Sequence, residues 1–152
     1  PLTTHINLKD IKKYIEKKNI QNLLKEIFIQ IKRKIYDLNF KEIKFLCYNP
    51  HCGEDNTIGN EDKIIYESTK HFKNIKTKIS ADSAFIKLNK KTLFISMYHD
   101  QVLIPFKILN KKTINITLGL DYRRLSPAHG TAKDIKFKNM ADISSYLTCM
   151  NF

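Results

Sequence analysis

The stretch Ser96-Met97-Tyr98-His99-Asp100-Gln101 carries the residues best suited to chemistry in this 152-residue chain. It follows Leu93-Phe94-Ile95, an apolar run that reads as a buried strand. Polar groups at the carboxyl end of a strand stand where open α/β sheets bind their ligands. An imidazole there can ligate a metal or move a proton. Four of the five histidines fall at the edge of an expected element: His5 after Thr-Thr, His51 after Asn-Pro, His99, and His129 before Gly-Thr-Ala. His71 falls inside an expected helix and reads as a surface residue. A catalytic metal takes about three protein ligands and leaves one position open for substrate. Histidines from separate sheet-end loops could supply that set. With no short ligand motif, the plainer alternative is dispersed structural or exposed histidines.

Lys107, Asn115, Arg123 and Arg124 follow His99 at short intervals. Arginine grips a carboxylate or phosphate with two parallel hydrogen bonds, and lysine acts as a point charge. In a chain this rich in lysine, Lys107 is not distinctive alone. Asn115 is more telling, because it interrupts a β-branched run. Asp82 and Asp100 suit a general base or a carboxylate that orients a histidine ligand, or else a turn or cap.

The elements that position these groups follow from periodicity and turn residues. Asn7 can cap a helix with Leu8, Ile11 and Ile15 on one face. A second helix starts at Asn19 and carries Ile20, Leu23, Leu24, Ile27, Ile31 and Ile35 as a core-facing stripe. Strands are expected at 43–47, 76–79, 92–97 and 114–118, and helices at 61–73 and 141–152. Residues 49–54 read as a loop, 101–107 as a turn or short helix interrupted by Pro105, and 119–135 as a long loop-rich segment. Strands alternating with helices imply an α/β layer fold with a mostly parallel or mixed sheet.

A net charge of +12 invites a nucleic-acid reading, but the lysines are spread along the chain and no zinc-finger or RNP-like motif is present. A basic surface would still attract a phosphorylated small molecule. No apolar run reaches the length of a membrane span and no signal peptide is evident, so the expected setting is cytoplasmic, without a membrane or nucleic-acid partner. Cys47, Cys52 and Cys149 are odd in number and are expected to be reduced thiols. The chain opens at Pro1, which reads as a fragment or a processed piece.

Several blocks occur together and in order: Thr3-Thr4-His5, Asn49-Pro50-His51 with Gly53-Glu54, Ala81-Asp82-Ser83, Tyr98-His99-Asp100-Gln101 through Pro105 and Lys107, Asn115 to Leu120, and His129-Gly130-Thr131-Ala132 with Asp134-Ile135. In these blocks the chain resembles the C-terminal half of the 4-hydroxythreonine-4-phosphate dehydrogenase family of pyridoxal phosphate biosynthesis. The resemblance implies an isocitrate/isopropylmalate dehydrogenase-like layered αβα fold, here about half of a two-domain architecture. It implies a divalent metal (zinc, or magnesium or cobalt) on His5, His51 and His99, within a homodimer that shares its active sites. Lys107, Asn115 and Arg124 would contact the phosphorylated hydroxy-amino acid substrate. His129, Gly130, Thr131, Ala132, Asp134 and Ile135 would lie along NAD. Asp82, Asp100 and Lys107 are the catalytic candidates, and the base remains open among Asp82, Asp100 and a metal-linked water. The implied reaction oxidises 4-phosphohydroxy-L-threonine to a 3-oxo acid that decarboxylates to 3-amino-2-oxopropyl phosphate. The alternatives are a non-catalytic half-enzyme and a paralogue acting on another phosphorylated four-carbon hydroxy acid.

Overall fold

A computed structural model describes residues 1–110, 112–128, 130 and 133–152. The chain divides into two units, Pro1–Leu103 and Ile104–Phe152. In the first, strands β1 (Glu42–Leu46), β2 (Ile75–Ile79) and β3 (Thr92–Ile95) form a parallel sheet in the order β2-β1-β3. Ile43 of β1 pairs with Ile75 on one side and Leu93 on the other. The central strand is the most apolar, with Ile43, Phe45 and Leu46 all buried. On β2, Lys76 and Lys78 are exposed while Ile75, Thr77 and Ile79 are half-buried. That alternation suits an outer strand of a sheet.

The helical elements close the core of this unit. Helix α1 (Lys17–Arg33) buries Ile20 and Leu24, with Leu23 and Ile27 packed beside them. Helix α2 (Glu61–Thr69) contributes Ile65, and the 3-10 segment Leu8–Tyr14 contributes Ile11. These side chains join Ile15, Ile43, Phe45, Ile95 and Met97 in one cluster. Fully burying such a side chain is worth about 1.5–3 kcal/mol. Packing of this stripe therefore outweighs local propensity in holding α1.

The expected α/β alternation is present, with shifted boundaries. Asn7 does cap its segment, accepting from the Lys9 N–H at 3.2 Å, but the segment is 3-10 rather than α. Helix α1 starts before Asn19, whose amide instead donates to the Tyr14 carbonyl at 3.1 Å. It stops at Arg33, where Lys34 turns left-handed, so Ile35 lies outside. Helix α2 ends at Thr69 rather than residue 73, and β3 ends at Ile95 rather than Met97.

Helix α3 (His99–Leu109) spans the boundary between the units; of the turn or short helix expected over 101–107 it is the helix, but Pro105 does not interrupt it. The proline has no N–H to offer the Gln101 carbonyl, which removes one helical hydrogen bond. The helix nevertheless continues through Pro105 to Leu109. In the second unit, β4 (Ile114–Thr117) pairs antiparallel with β5 (Arg124–Pro127), and α4 (Ser144–Met150) follows. Strand β5 lies in the segment expected to be loop. Pro127 sits at its end, opposite Ile114, a position a strand tolerates.

Candidate active site at the carboxyl edge of the parallel sheet

Since β1, β2 and β3 all run parallel, their carboxyl ends share one edge. Three polar segments leave from it: Cys47-Tyr48-Asn49-Pro50-His51 after β1, Ser80-Ala81-Asp82 after β2, and Ser96 to His99 after β3. The amino-terminal segment joins the same edge. The Leu2 N–H donates to the Ser96 carbonyl at 2.7 Å, and the Thr3 N–H donates to the Met97 carbonyl at 3.1 Å. This docking brings His5 beside His99, with ring centroids 5.7 Å apart.

Three buried polar side chains tie the edge together. The Thr3 hydroxyl donates to the Met97 carbonyl at 2.7 Å. Gln101 accepts from the Met97 N–H at 2.8 Å through Oε1 and donates to the Cys47 carbonyl at 2.5 Å through Nε2. Asp62, on the first turn of α2, accepts from the Tyr48 N–H at 2.7 Å, the Asn49 N–H at 3.1 Å and the Asn49 amide at 3.0 Å. All three residues are buried. A buried polar group is stable only when so paired. Sequence reading had not singled out Thr3 or Asp62, and it saw Gln101 only as one more polar group at the strand end. Asp62 looks like an ordinary acid at a helix start. Its bonds run to residues 13 and 14 positions away, beyond any local pattern.

His99 opens α3 and pairs Nδ1 with Asp100 Oδ1 at 2.7 Å. A carboxylate at Nδ1 fixes the tautomer and leaves Nε2 as the lone-pair donor. Asp100 thus lies within hydrogen-bond distance of the His99 ring. Asp82 accepts from the Ser80 hydroxyl at 2.5 Å. That bond, with smaller help from backbone N–H groups and from nearby His51, holds the Asp82 carboxyl below its ordinary range. A pocket of about 300 Å3 opens here, lined by Tyr48, Asn49, His51, Asp82, Tyr98 and Gln101 among others. Burial pushes the Tyr48 phenol up, so it presents a neutral hydroxyl.

The cysteine expectation is corrected. Cys47 and Cys52 are joined by a disulfide with their Cα atoms 5.0 Å apart, and Cys149 alone is free. The chain turns back sharply after β1 through Asn49-Pro50, which sequence spacing alone does not reveal. His51 and Cys52 take the left-handed conformation, with φ of 46° and 57°. Gly53 follows at φ 79°, and a Cβ there would meet the Gly59 carbonyl at 3.0 Å.

The chemistry of the donor set fits a divalent cation: imidazoles at a sheet edge, one of them oriented by a carboxylate. The geometry brings together two of the three expected ligands, His5 and His99. His51 lines the pocket with Asp82. Among the described residues no group of three or more His, Cys, Asp or Glu is placed to hold a metal ion. No helix among them is long and apolar enough to cross a membrane.

The other expected site residues lie in the second unit or at its start. Lys107 is exposed on the last turn of α3. Asn115 sits on β4 opposite Ser126 and is exposed. Arg124 opens β5 opposite Thr117 and donates to its hydroxyl at 2.8 Å. Gly130 and Asp134 are exposed and Ile135 is half-buried. His129, Thr131 and Ala132 lie outside the described residues.

A parallel sheet whose carboxyl edge carries His5, His99 and a pocket lined by His51 and Asp82 defines an α/β protein with polar groups at its strand ends, where open α/β sheets bind ligands. Residues 1–152 match the family described as pyridoxal phosphate biosynthetic protein PdxA, and the chain belongs to that family. It is 41% identical over 150 residues to a 4-hydroxythreonine-4-phosphate dehydrogenase of Sulfurihydrogenibium, covering 95% of this chain and 46% of the relative. The Aquifex aeolicus enzyme of the same name is 41% identical over 153 residues, covering 96% of this chain and 47% of the relative. Among solved structures, the Klebsiella pneumoniae 4-hydroxythreonine-4-phosphate dehydrogenase superposes with a TM-score of 0.75 at 28% identity, over 99% of this chain and 47% of the other. The chain thus spans about half the length of the curated relatives it matches.

Proposed function

We propose that this chain is the metal- and substrate-binding half of an NAD-dependent 4-hydroxythreonine-4-phosphate dehydrogenase. One observation carries the proposal: in a chain that belongs to this family, the carboxyl edge of the parallel sheet collects His5, His51, Asp82 and His99. His5, His51 and His99 would hold a divalent cation, with Asp100 orienting His99. The cation would supply Lewis acidity toward the substrate hydroxyl, and NAD would supply the hydride acceptor. Lys107 and Arg124 neutralise the phosphate and carboxylate, and Asn115 hydrogen-bonds beside them. Asp82, which accepts from the Ser80 hydroxyl, would take the substrate hydroxyl proton, with Asp100 or a metal-linked water as the alternative base. His129, Gly130, Thr131, Ala132, Asp134 and Ile135 would contact NAD, as the family resemblance implies. Cytoplasmic location and a homodimer with shared sites belong to the same proposal.

A second reading is supported by the chain's spanning half of its relatives: a half-enzyme that binds metal or phosphate without turnover. The test is NADH formation from 4-phosphohydroxy-L-threonine and NAD with zinc, magnesium or cobalt, using the chain alone and any longer parent. Arg124→Ala is expected to weaken phosphorylated substrate far more than NAD. Equal losses for both would contradict the role given to Arg124. Metal retention without NADH in any form would favour the half-enzyme. Turnover only of another phosphorylated four-carbon hydroxy acid would favour a paralogue.

A further inference from the structure

We infer that Asn49 is a positioning residue for the proposed reaction: its side-chain amide clamps the turn that carries His51 onto the first turn of α2. The inference rests on the active-site reading above and adds to it a residue that acts through His51. Asn49 Nδ2 donates to Glu61 Oε2 at 3.0 Å and to Asp62 Oδ2 at 3.0 Å. The Asn49 N–H donates to the same Asp62 oxygen at 3.1 Å. Two carboxylates thus converge on one NH2 group and use both of its hydrogens, which also settles which end of the amide is nitrogen. An aspartate at this position would bring a third carboxylate to the cluster and supply neither hydrogen.

Gly59 closes the clamp from the other side. Its φ lies outside the left-handed region, so what the position demands is space. A Cβ there would meet Asn49 Nδ2 at 2.9 Å and Oδ1 at 3.2 Å, and would collide with the Glu61 carboxylate. Between Asn49 and Gly59 runs a stretch of left-handed backbone: His51, Cys52, Gly53, Glu54, Asp55 and Asn56 all hold positive φ. Apart from Gly53, each carries a Cβ, and such residues persist there only where the surroundings over-determine them. The Asn49 carbonyl accepts from the Cys52 N–H at 3.2 Å, and the Gly53 carbonyl from the Ile58 N–H at 3.2 Å, so the stretch is tied at its start and past its end. The Cys47–Cys52 bond reaches only its start. Pro50, with φ fixed by its ring, links the clamped amide directly to His51. The path from α2 to His51 is therefore short, and it ends at the pocket that His51 lines with Asp82.

The test reads His51 directly, by 1H–13C NMR of the chain labelled at histidine, each ring signal assigned by replacing one histidine in turn. Gly59→Ala disturbs the clamp without altering any residue next to His51. It is expected to move the His51 signal and leave those of His5, His71 and His99 in place. Asn49→Asp should do the same. The double variant Asn49→Asp/Glu61→Gln restores one donor–acceptor pair with the roles exchanged, and should bring the signal back toward its wild-type position. Circular dichroism checks that each variant is folded; if Gly59→Ala is not, Asn49→Asp and its rescue decide. A His51 signal that stays in place in the folded variants would overturn the inference. So would equal movement of all the histidines, or no recovery in the double variant. In a longer parent that forms NADH, Asn49→Asp is expected to lower kcat about tenfold or more and to leave KM for NAD unchanged. Unchanged kcat in a variant whose His51 signal has moved would overturn the positioning role. A wild-type parent that forms no NADH would overturn the dehydrogenase reading instead, and the clamp is then judged on the His51 signal.

Discussion

Replacing Gln101 with leucine tests the claim that one amide holds two strand ends together. The side chain is buried, and it partners the Met97 N–H at 2.8 Å and the Cys47 carbonyl at 2.5 Å. Both partners sit on residues almost closed to water, 0% exposed at Met97 and 3% at Cys47. Leucine fills similar space but offers neither group a partner. Each stranded group costs about 1–3 kcal/mol, so the pair costs about 2–6 kcal/mol. Burial of the added apolar surface offsets part of this, leaving a net loss of about 3 kcal/mol. For a chain of this size each kcal/mol moves the melting midpoint by about 2–4 °C, so the midpoint should fall by about 6–12 °C. Thermal unfolding followed by circular dichroism reads the shift. Gln101→Glu is the companion variant. It keeps an acceptor for Met97 but sets a carboxylate against the Cys47 carbonyl, so it should be no more stable than the leucine variant. A loss below about 1 kcal/mol in both would refute the reasoning, because the edge would then be held by packing alone.

Two further perturbations probe the same sheet from other sides. Asp62→Ala strips three hydrogen bonds from the turn that carries His51 and should cost about 2–3 kcal/mol in urea unfolding; an effect within about 0.5 kcal/mol would show that the turn holds itself. At the start of β1, Glu42 is held down to about 2 from 4.5 by hydrogen bonds from Lys76 first, then Thr92 and Lys44. A depressed carboxyl contributes stability above its unfolded value and loses it as pH falls toward its folded value. Wild type should therefore lose stability relative to Glu42→Gln between pH 4.5 and about 2, less so at high salt, and parallel pH profiles would contradict the assignment.

Strong periodicity made much of the fold legible. Ile20, Leu23, Leu24 and Ile27 mark α1, and Ile43 to Leu46 mark the central strand, because burial on a regular element repeats at a fixed spacing. Strand β5 carried no such signal: Arg124-Leu125-Ser126-Pro127 is short, polar and ends in a proline. Its place follows from pairing with β4. The short helix expected around Pro105 is there, but the expected interruption is not, since a helix can lose one hydrogen bond and continue. For the site, His99 was legible from residue types at a strand end. His5 stands beside it only because Leu2 and Thr3 dock on residues more than ninety positions away. The Cys47–Cys52 bond is equally a product of the turn at 49–52 and of no local pattern.

Met97 shows why the site and the core of the first unit stand or fall together. Its side chain is fully buried in the cluster formed by α1, α2 and the sheet. Its carbonyl receives both the N–H and the hydroxyl of Thr3, which carry His5, and its N–H is taken by Gln101, which reaches across to β1. The same residue thus anchors apolar packing through its side chain and site geometry through its backbone. Packed interiors do not deform continuously, so a shift at this point disturbs His5, His99 and the Cys47 end of the His51 loop at once. This arrangement lets a site made from four distant segments keep its geometry without relying on the stiffness of any one loop.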